Sequence, residues 1–430
     1  MLNRKRYNRF THILGPGVVT GAADDDPSGI ATNTQVGAQF GAGLLWLYPV
    51  MLPMLVAVQE VCARIGAVTG KGLAAIIKEN YSRKLLYLSV FLVVTASTLN
   101  IGADIGALAS TLRLFVDVPY VVLIVLFATC IVLLEIFVRY VTYAKILKWF
   151  ALALLAYPLT ALITVRDWPK LFGDMLTLQP IAGTSMVFMI IAMLGTTVSP
   201  YLFFWDTSEE VEEEIAKHRL SHAGALPKIT RHFIRSIKLD NLTGMIVTIL
   251  TGLSIAVVGY VVLYQNGVRE INTATDAALA LQPLVQGFPN AGLLAKIIFS
   301  VGIIGLGLLA IPVLAGSSAY AVSEMLGWKE GLYRKFKRAA GFYAVIALSV
   351  VAGVLLNLFG INPIKALVYA AVFNGIAAVP LLFMIAKIGN NRVIMGEYKS
   401  GLLSNLFVWL TFVVMGVGAL ALFYLMAIGN

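Results

Sequence analysis

The 430 residues are 59% hydrophobic and only 13% charged, with a mean hydropathy of +0.86. That composition excludes a water-soluble globular domain and reads as a polytopic membrane protein. The formal charge of +10 fits lysines and arginines that hold loops on one side of a bilayer, and no nucleic-acid motif accompanies it. Two distant cysteines, Cys62 and Cys130, imply neither a disulfide framework nor a zinc knuckle and leave the redox compartment open.

A bilayer crossing takes roughly 20 apolar residues, and eleven stretches qualify. Arg4, Lys5, Arg6 and Arg9 precede the first. That run ends in three aspartates without a small-residue cleavage pattern, so it reads as a cytoplasmic tail and not as an export signal. Span one, about 13–40, is broken at Asp24-Asp25-Asp26-Pro27-Ser28-Gly29. Spans at about 43–64, 85–112, 119–138 and 142–164 follow, with Glu135 and Arg139 an i, i+4 pair at the end of the fourth. Span six, about 183–206, is broken at Thr196-Thr197-Val198-Ser199-Pro200-Tyr201.

The loop over 206–238 carries Glu209, Glu210, Glu212, Glu213 and Glu214, then basic residues. Leu220, Ile229, Phe233 and Ile237 form a weak apolar stripe there, which predicts an amphipathic interfacial helix or a moving connector. His218 and His222 are four apart, but two ligands fall short of a closed metal site, so a solvated helix face is expected. Span seven is at about 239–263. The loop at 265–292 contains a short helix over 274–284 capped by Thr273 or Thr275. Spans at about 293–320, 339–359, 363–387 and 403–428 complete the chain.

With the N-terminus inside, 26 of the 32 lysines and arginines fall on the cytoplasmic side. The exceptions are Arg113, Arg166, Lys170, Arg269, Lys296 and Lys365. Positive residues resist translocation, so this asymmetry predicts a cytoplasmic N-terminus and an external C-terminus. The breaks open corresponding halves of the chain. That predicts an all-α, LeuT-type inverted repeat of five plus five helices in one transporter domain: repeat one over about 13–164, repeat two over about 183–387, and an extra helix over about 403–428.

A proline removes a backbone donor and frees carbonyl oxygens, which lipid tolerates only around a polar cavity. Asp26 precedes Pro27, where helical conformation is disfavoured, so its carboxylate and the carbonyl near Ala23 can converge on one cation. The competing reading makes Asp26 a plain helix cap. Asp24 and Asp25 point about 100° apart on a helix and serve as vestibule or relay groups. Thr196 and Ser199 add oxygens at the second break, Thr197 serves equally well as a helix-packing hydroxyl, and Asn374 either completes the site or packs helices.

Three stretches resemble the natural resistance-associated macrophage protein (Nramp) metal transporters across nearly the whole chain: Gly15 to Gly41, the run from Gln59 to Gly70, and Gly195 to Tyr201. The family's Asp-Pro-Gly-Asn motif stands here as Asp26-Pro27-Ser28-Gly29, and its Met-Pro-His motif as Ser199-Pro200-Tyr201. The resemblance therefore implies a metal site at Asp26, Gly29, Ser199 and Tyr201, to which the reading of the breaks adds Ala23, Thr196 and, as one of its two alternatives, Asn374. Its third-helix acidic pair falls at Asp104 and Ala107, and its sixth-helix histidines at Tyr201 and Asp206.

Replacing a soft thioether by Ser199 leaves an all-oxygen environment, which suits Mg²⁺. The pattern looks like the Nramp-related magnesium transporter branch. Import of Mg²⁺ and also Mn²⁺ by alternating access is expected, without proton coupling because histidine is missing from the relay. Proton-coupled Mn²⁺ or Fe²⁺ import is the alternative. A membrane metalloenzyme lacks the metal-ligand and nucleophile motifs it would need. No prosthetic group is implied. The expected partners are the divalent ion and the lipid of a bacterial plasma membrane, with no nucleic acid.

Overall fold

The computed structural model describes residues 21, 24, 26–138, 150–177, 183–216, 219–225, 227 and 229–428. The basic tail, Ala23, Asp25, Arg139 and His218 lie outside the described residues, as do most of the first half of span one and positions 142–149. Pro27 opens α1 (Pro27–Phe40), where its missing N–H matters least. Then come α2 (Leu47–Thr69), α3 (Leu73–Asn80), α4 (Arg83–Leu112) and α5 (Tyr120–Phe137). After a 3-10 turn lie α6 (Ala156–Thr164) and α7 (Trp168–Leu176), then the halves of the second broken span, α8 (Gly183–Thr197) and α9 (Pro200–Ala216).

The remaining helices are α10 (Arg231–Val258), which ends in a π turn at Gly259–Leu263, α11 (Ala274–Leu279), α12 (Ala291–Leu326), α13 (Ala340–Leu356), α14 (Pro363–Asn390), α15 (Arg392–Met395) and α16 (Leu402–Ala427). Among the described residues nine helical stretches are long and apolar enough to cross a bilayer. With the half-helix α1 and the shorter Leu152–Thr164 they account for the eleven expected spans.

Burial sorts these helices into centre and periphery. The apolar window of the broken stretch Gly183–Ala216 is 94% buried, against 28% for α5 and α16, so the broken helix is the core and those two face outward. Phe137, Leu162, Phe359 and Leu402 are exposed apolar groups of the kind a bilayer covers. Close approach in the centre needs a residue without a side chain: a Cβ on Gly195 of α8 would meet the Gly375 Cα of α14 at 2.8 Å and press on the Ala371 carbonyl.

The connector over 206–238 departs from expectation. Positions 206–216 continue α9, and α10 begins at Arg231, so no interfacial helix fills the interval among the described residues. Phe233 and Ile237 are buried against Ala63 and Ala67 of α2, and Leu220 is also buried. The stripe therefore packs on protein, because apolar side chains next to a helix bury there before they reach lipid. Thr273, not Thr275, caps α11 in a reciprocal box with Asp276.

Candidate metal site

Asp26 occupies the turn between the helical position 24 and α1, with extended backbone (φ −66°, ψ 174°) that the following proline favours. Its carboxylate is fully buried and held by three donors. The Gly29 N–H (2.9 Å) and the Ser28 hydroxyl (2.5 Å) donate to Oδ1, and the Tyr201 hydroxyl donates to Oδ2 at 3.1 Å. Asp26 is therefore also the α1 cap; the two readings do not exclude each other. A carboxylate offers about four lone-pair sites, so three donors leave about one free for an ion.

The second break is satisfied by its own hydroxyls. Pro200 cannot donate to the Thr196 carbonyl, and the Ser199 hydroxyl donates there (3.1 Å) and to the Gly195 carbonyl (2.8 Å) instead. Thr197 donates to the Met193 carbonyl at 2.8 Å. Ser28 Oγ and Thr196 Oγ1 lie 3.2 Å apart. Because the single Ser28 proton goes to Asp26, Thr196 donates to Ser28, and a relay Thr196 to Ser28 to Asp26 links the two breaks.

A cavity of about 10 Å³ adjoins this relay, room for about one water. Asp24, Gly29, Thr196 and Thr197 line it, together with Asn33, Tyr48 and Thr248. A Cβ added at Gly29 would sit 3.5 Å from both Thr196 Oγ1 and the Asp24 carbonyl, an ordinary contact pointing to the polar wall. Asp26, Ser199 and Tyr201 stand behind the lining and do not form it.

Asn374 has a different neighbour. It pairs reciprocally with Asn100 of α4, at 2.8 and 3.3 Å, and does not line the cavity; its amide groups are engaged in joining α14 to α4. Asp104, one turn beyond Asn100, is fully buried with neither carboxylate oxygen hydrogen-bonded. Its charge acts on the Tyr201 phenol together with those of Asp26 and Asp24. Asp206 is buried farther along α9, beside Cys62 and Glu209 and away from the cavity.

Three polar contributors escaped the sequence reading. Asn33 lies seven residues after Asp26, hence on the same helical face, and helical spacing could have found it. Its Oδ1 accepts from the Tyr48 hydroxyl at 2.6 Å. Thr248 of α10 donates to the Gly21 carbonyl at 3.0 Å, a contact across 227 positions that no local signal marks. Among the described residues no three His, Cys, Asp or Glu side chains converge on one point. Ion capture here would rest on fewer than three carboxylates, Asp24 in the cavity lining and Asp26 behind it, with neutral oxygens.

The profile of natural resistance-associated macrophage protein-like sequences matches residues 17–425. A "Divalent metal cation transporter MntH" of Ralstonia nicotianae is 24% identical over 426 residues, 96% of this chain and 91% of that protein. The solved manganese transporter of Eremococcus coleocola superposes with a TM-score of 0.73 at 15% identity, covering 96% of this chain and 86% of that one. MhsT, solved with L-phenylalanine, superposes with a TM-score of 0.64 at 11% identity, covering 96% and 98%. These likenesses give the backbone arrangement of LeuT-type transporters.

Proposed function

The chain belongs to the Nramp family, and on that premise we propose that it is a divalent metal transporter of the alternating-access type, selective for Mg²⁺ with Mn²⁺ as a second substrate. The observation that carries this reading is that the two breaks meet through oxygen alone: Ser28 to Thr196 at 3.2 Å and Tyr201 to Asp26 at 3.1 Å. Neither contact brings a sulfur or an imidazole. Hard oxygens with few carboxylates suit an ion that prefers octahedral geometry and retains water.

In this reading Asp26 is the anionic ligand, and the Thr196 and Ser199 hydroxyls and the carbonyls near Ala23 supply neutral oxygens. The conformation with room for about one water is a closed state, in which the protein's own donors occupy the carboxylate. A hydrated ion enters when α1 and α9 move away from the scaffold, and displaces Tyr201 or Ser28 from Asp26. Asp104 and Asp24 make the surroundings negative, so the site attracts cations before it ligates one.

Voltage-driven, uncoupled import belongs to the same reading. A divalent ion gains roughly twice 2.3 kcal/mol per 100 mV, enough for uptake without a second ion. Tyr201 and Asp206 stand where a proton relay would need histidine. The charge asymmetry supports a cytoplasmic N-terminus and external C-terminus in a bacterial plasma membrane. Repeats over 13–164 and 183–387, with an extra helix over 403–428, follow from the phase of the breaks.

The second reading is proton-coupled Mn²⁺ or Fe²⁺ import, and for the metal it draws on the likeness to the manganese transporter of Eremococcus coleocola. Liposome flux of Mg²⁺, Mn²⁺ and Ca²⁺ with an internal pH dye separates the two. Saturable, voltage-dependent Mg²⁺ uptake without acidification is expected; acidification that tracks Mn²⁺ uptake, with no Mg²⁺ flux, would replace the first reading by the second. Asp26→Ala should abolish uptake in either case.

A further inference from the structure

Of the six lysines and arginines that the charge asymmetry leaves outside, Arg166 and Lys170 stand only four residues apart. Positive residues resist translocation, so a local pair on that side runs against the trend of the chain. Both line one cavity of about 400 Å³, formed by the end of α6, by α7 and by the turns after α10. A space of that size accommodates a small organic group.

Asp167 and Asp174 line the same cavity, together with Tyr260 and Gln265 from the turns after α10. Two cations and two carboxylates thus share one concavity, yet among the described residues none of the four forms an ion pair with another. Lys170 and Asp174 are i, i+4 on α7, a spacing at which helical ion pairs can close, and still remain separate. Asp167 Oδ1 accepts the Lys170 N–H at 2.9 Å, which caps α7 and engages only one of its oxygens. Opposite charges held apart around open space complement a ligand that carries both signs.

The cavity also lies at a definite depth. Leu162 and Ile163, just before the lining residue Thr164, are exposed. On α7, Leu171 and Met175 are buried, Phe172 and Leu176 are exposed, and Lys170 and Asp174 take the remaining face. In a chain that spans a bilayer, a short helix with these faces lies in the interface and turns its exposed apolar side chains toward the acyl chains. Trp168 packs against Phe172 with ring centres 5.9 Å apart, and Tyr260 against Tyr264 at 5.8 Å, rings of the kind that collect at headgroup level.

We propose that this cavity binds the headgroup of an outer-leaflet phospholipid of the phosphatidylethanolamine class. Arg166 and Lys170 take the phosphate, for which the guanidinium fork and the ammonium are suited. Asp167 and Asp174 take the primary ammonium, whose three N–H donors a trimethylated headgroup lacks. The acyl chains run beside Leu162 and Phe172, and the bound lipid holds α7 to the turns after α10. The site is separate from Asp26 and does not depend on which ion is carried.

The test is native mass spectrometry of the purified full chain offered equal amounts of phosphatidylethanolamine, phosphatidylcholine and phosphatidylglycerol with identical acyl chains. One phosphatidylethanolamine should be retained in preference to both others. Arg166→Gln combined with Lys170→Gln should lower that retention about tenfold, and Asp174→Asn should erase the preference over phosphatidylcholine. Arg113→Gln, at an external cation outside the cavity, should change nothing. Val261→Trp fills the cavity without altering its charge and should also release the lipid. Gel filtration checks that each variant is folded. Retention that survives the cavity variants, or no preference among the three lipids, overturns the site. A preference for phosphatidylglycerol that ignores Asp174 overturns the assignment of the carboxylates, as would Mn²⁺ binding that Asp174→Asn removes.

Discussion

The Tyr201 hydroxyl donates to Asp26 Oδ2 at 3.1 Å, so a residue of one broken helix occupies the carboxylate of the other. Both groups are buried, and the bond spans 175 positions. A hydrogen bond to a charged acceptor contributes about 1.5–3 kcal/mol. In the proposed closed state it would compete with a cation for the same oxygen. Tyr201→Phe is therefore expected to lower the KM for Mg²⁺ in liposome uptake several-fold while slowing turnover, since closure loses a bond. A raised KM would show that Tyr201 supports the carboxylate for binding and does not compete with the ion.

Softness can be returned to the site at position 199, where Ser199→Met adds a thioether beside the break. Soft and borderline ions gain most from sulfur. The uptake ratio of Mn²⁺ or Cd²⁺ to Mg²⁺ should rise in Ser199→Met. An unchanged ratio would refute selection by ligand softness.

The crossing of α8 and α14 depends on the absence of a side chain at position 195. In Gly195→Val the new atoms would run into the Ala371 carbonyl and the Gly375 backbone, neither of which can rotate away. Overpacking of this kind destabilises by about 1–3 kcal/mol and sometimes more. Thermal melting in detergent should show a clearly lower midpoint, with uptake lost. A wild-type midpoint would mean that the helices separate without penalty.

Glu330, beyond the end of α12, has its carboxyl pushed far above the ordinary value of 4.5 by burial and by the neighbouring Glu324 and Glu212, with Arg334 offsetting part of the effect. The folded state thus holds a proton there that the unfolded chain releases near pH 4.5. Its contribution to stability is complete below that pH and fades as pH rises toward the folded-state value. Glu330→Gln mimics the protonated form and should raise the melting midpoint at pH 8–9 relative to wild type while changing little at pH 5. Equal midpoints at both pH values would contradict the burial argument.

The spans, the two breaks and the place of Asp26 at the first of them were legible from the residue string, because lipid punishes charges, prolines and free carbonyls wherever they stand. The departures Gly29, Ser199 and Tyr201 were legible too, once set against the family motifs. Which side chains meet was not. Asn374 pairs with Asn100 across 274 positions, Thr248 reaches the Gly21 carbonyl across 227, and the stripe around Phe233 turns to α2 and not to lipid. Chain spacing constrains neighbours within a few helical turns, whereas partners hundreds of positions apart are chosen by how helices pack around glycines such as Gly195.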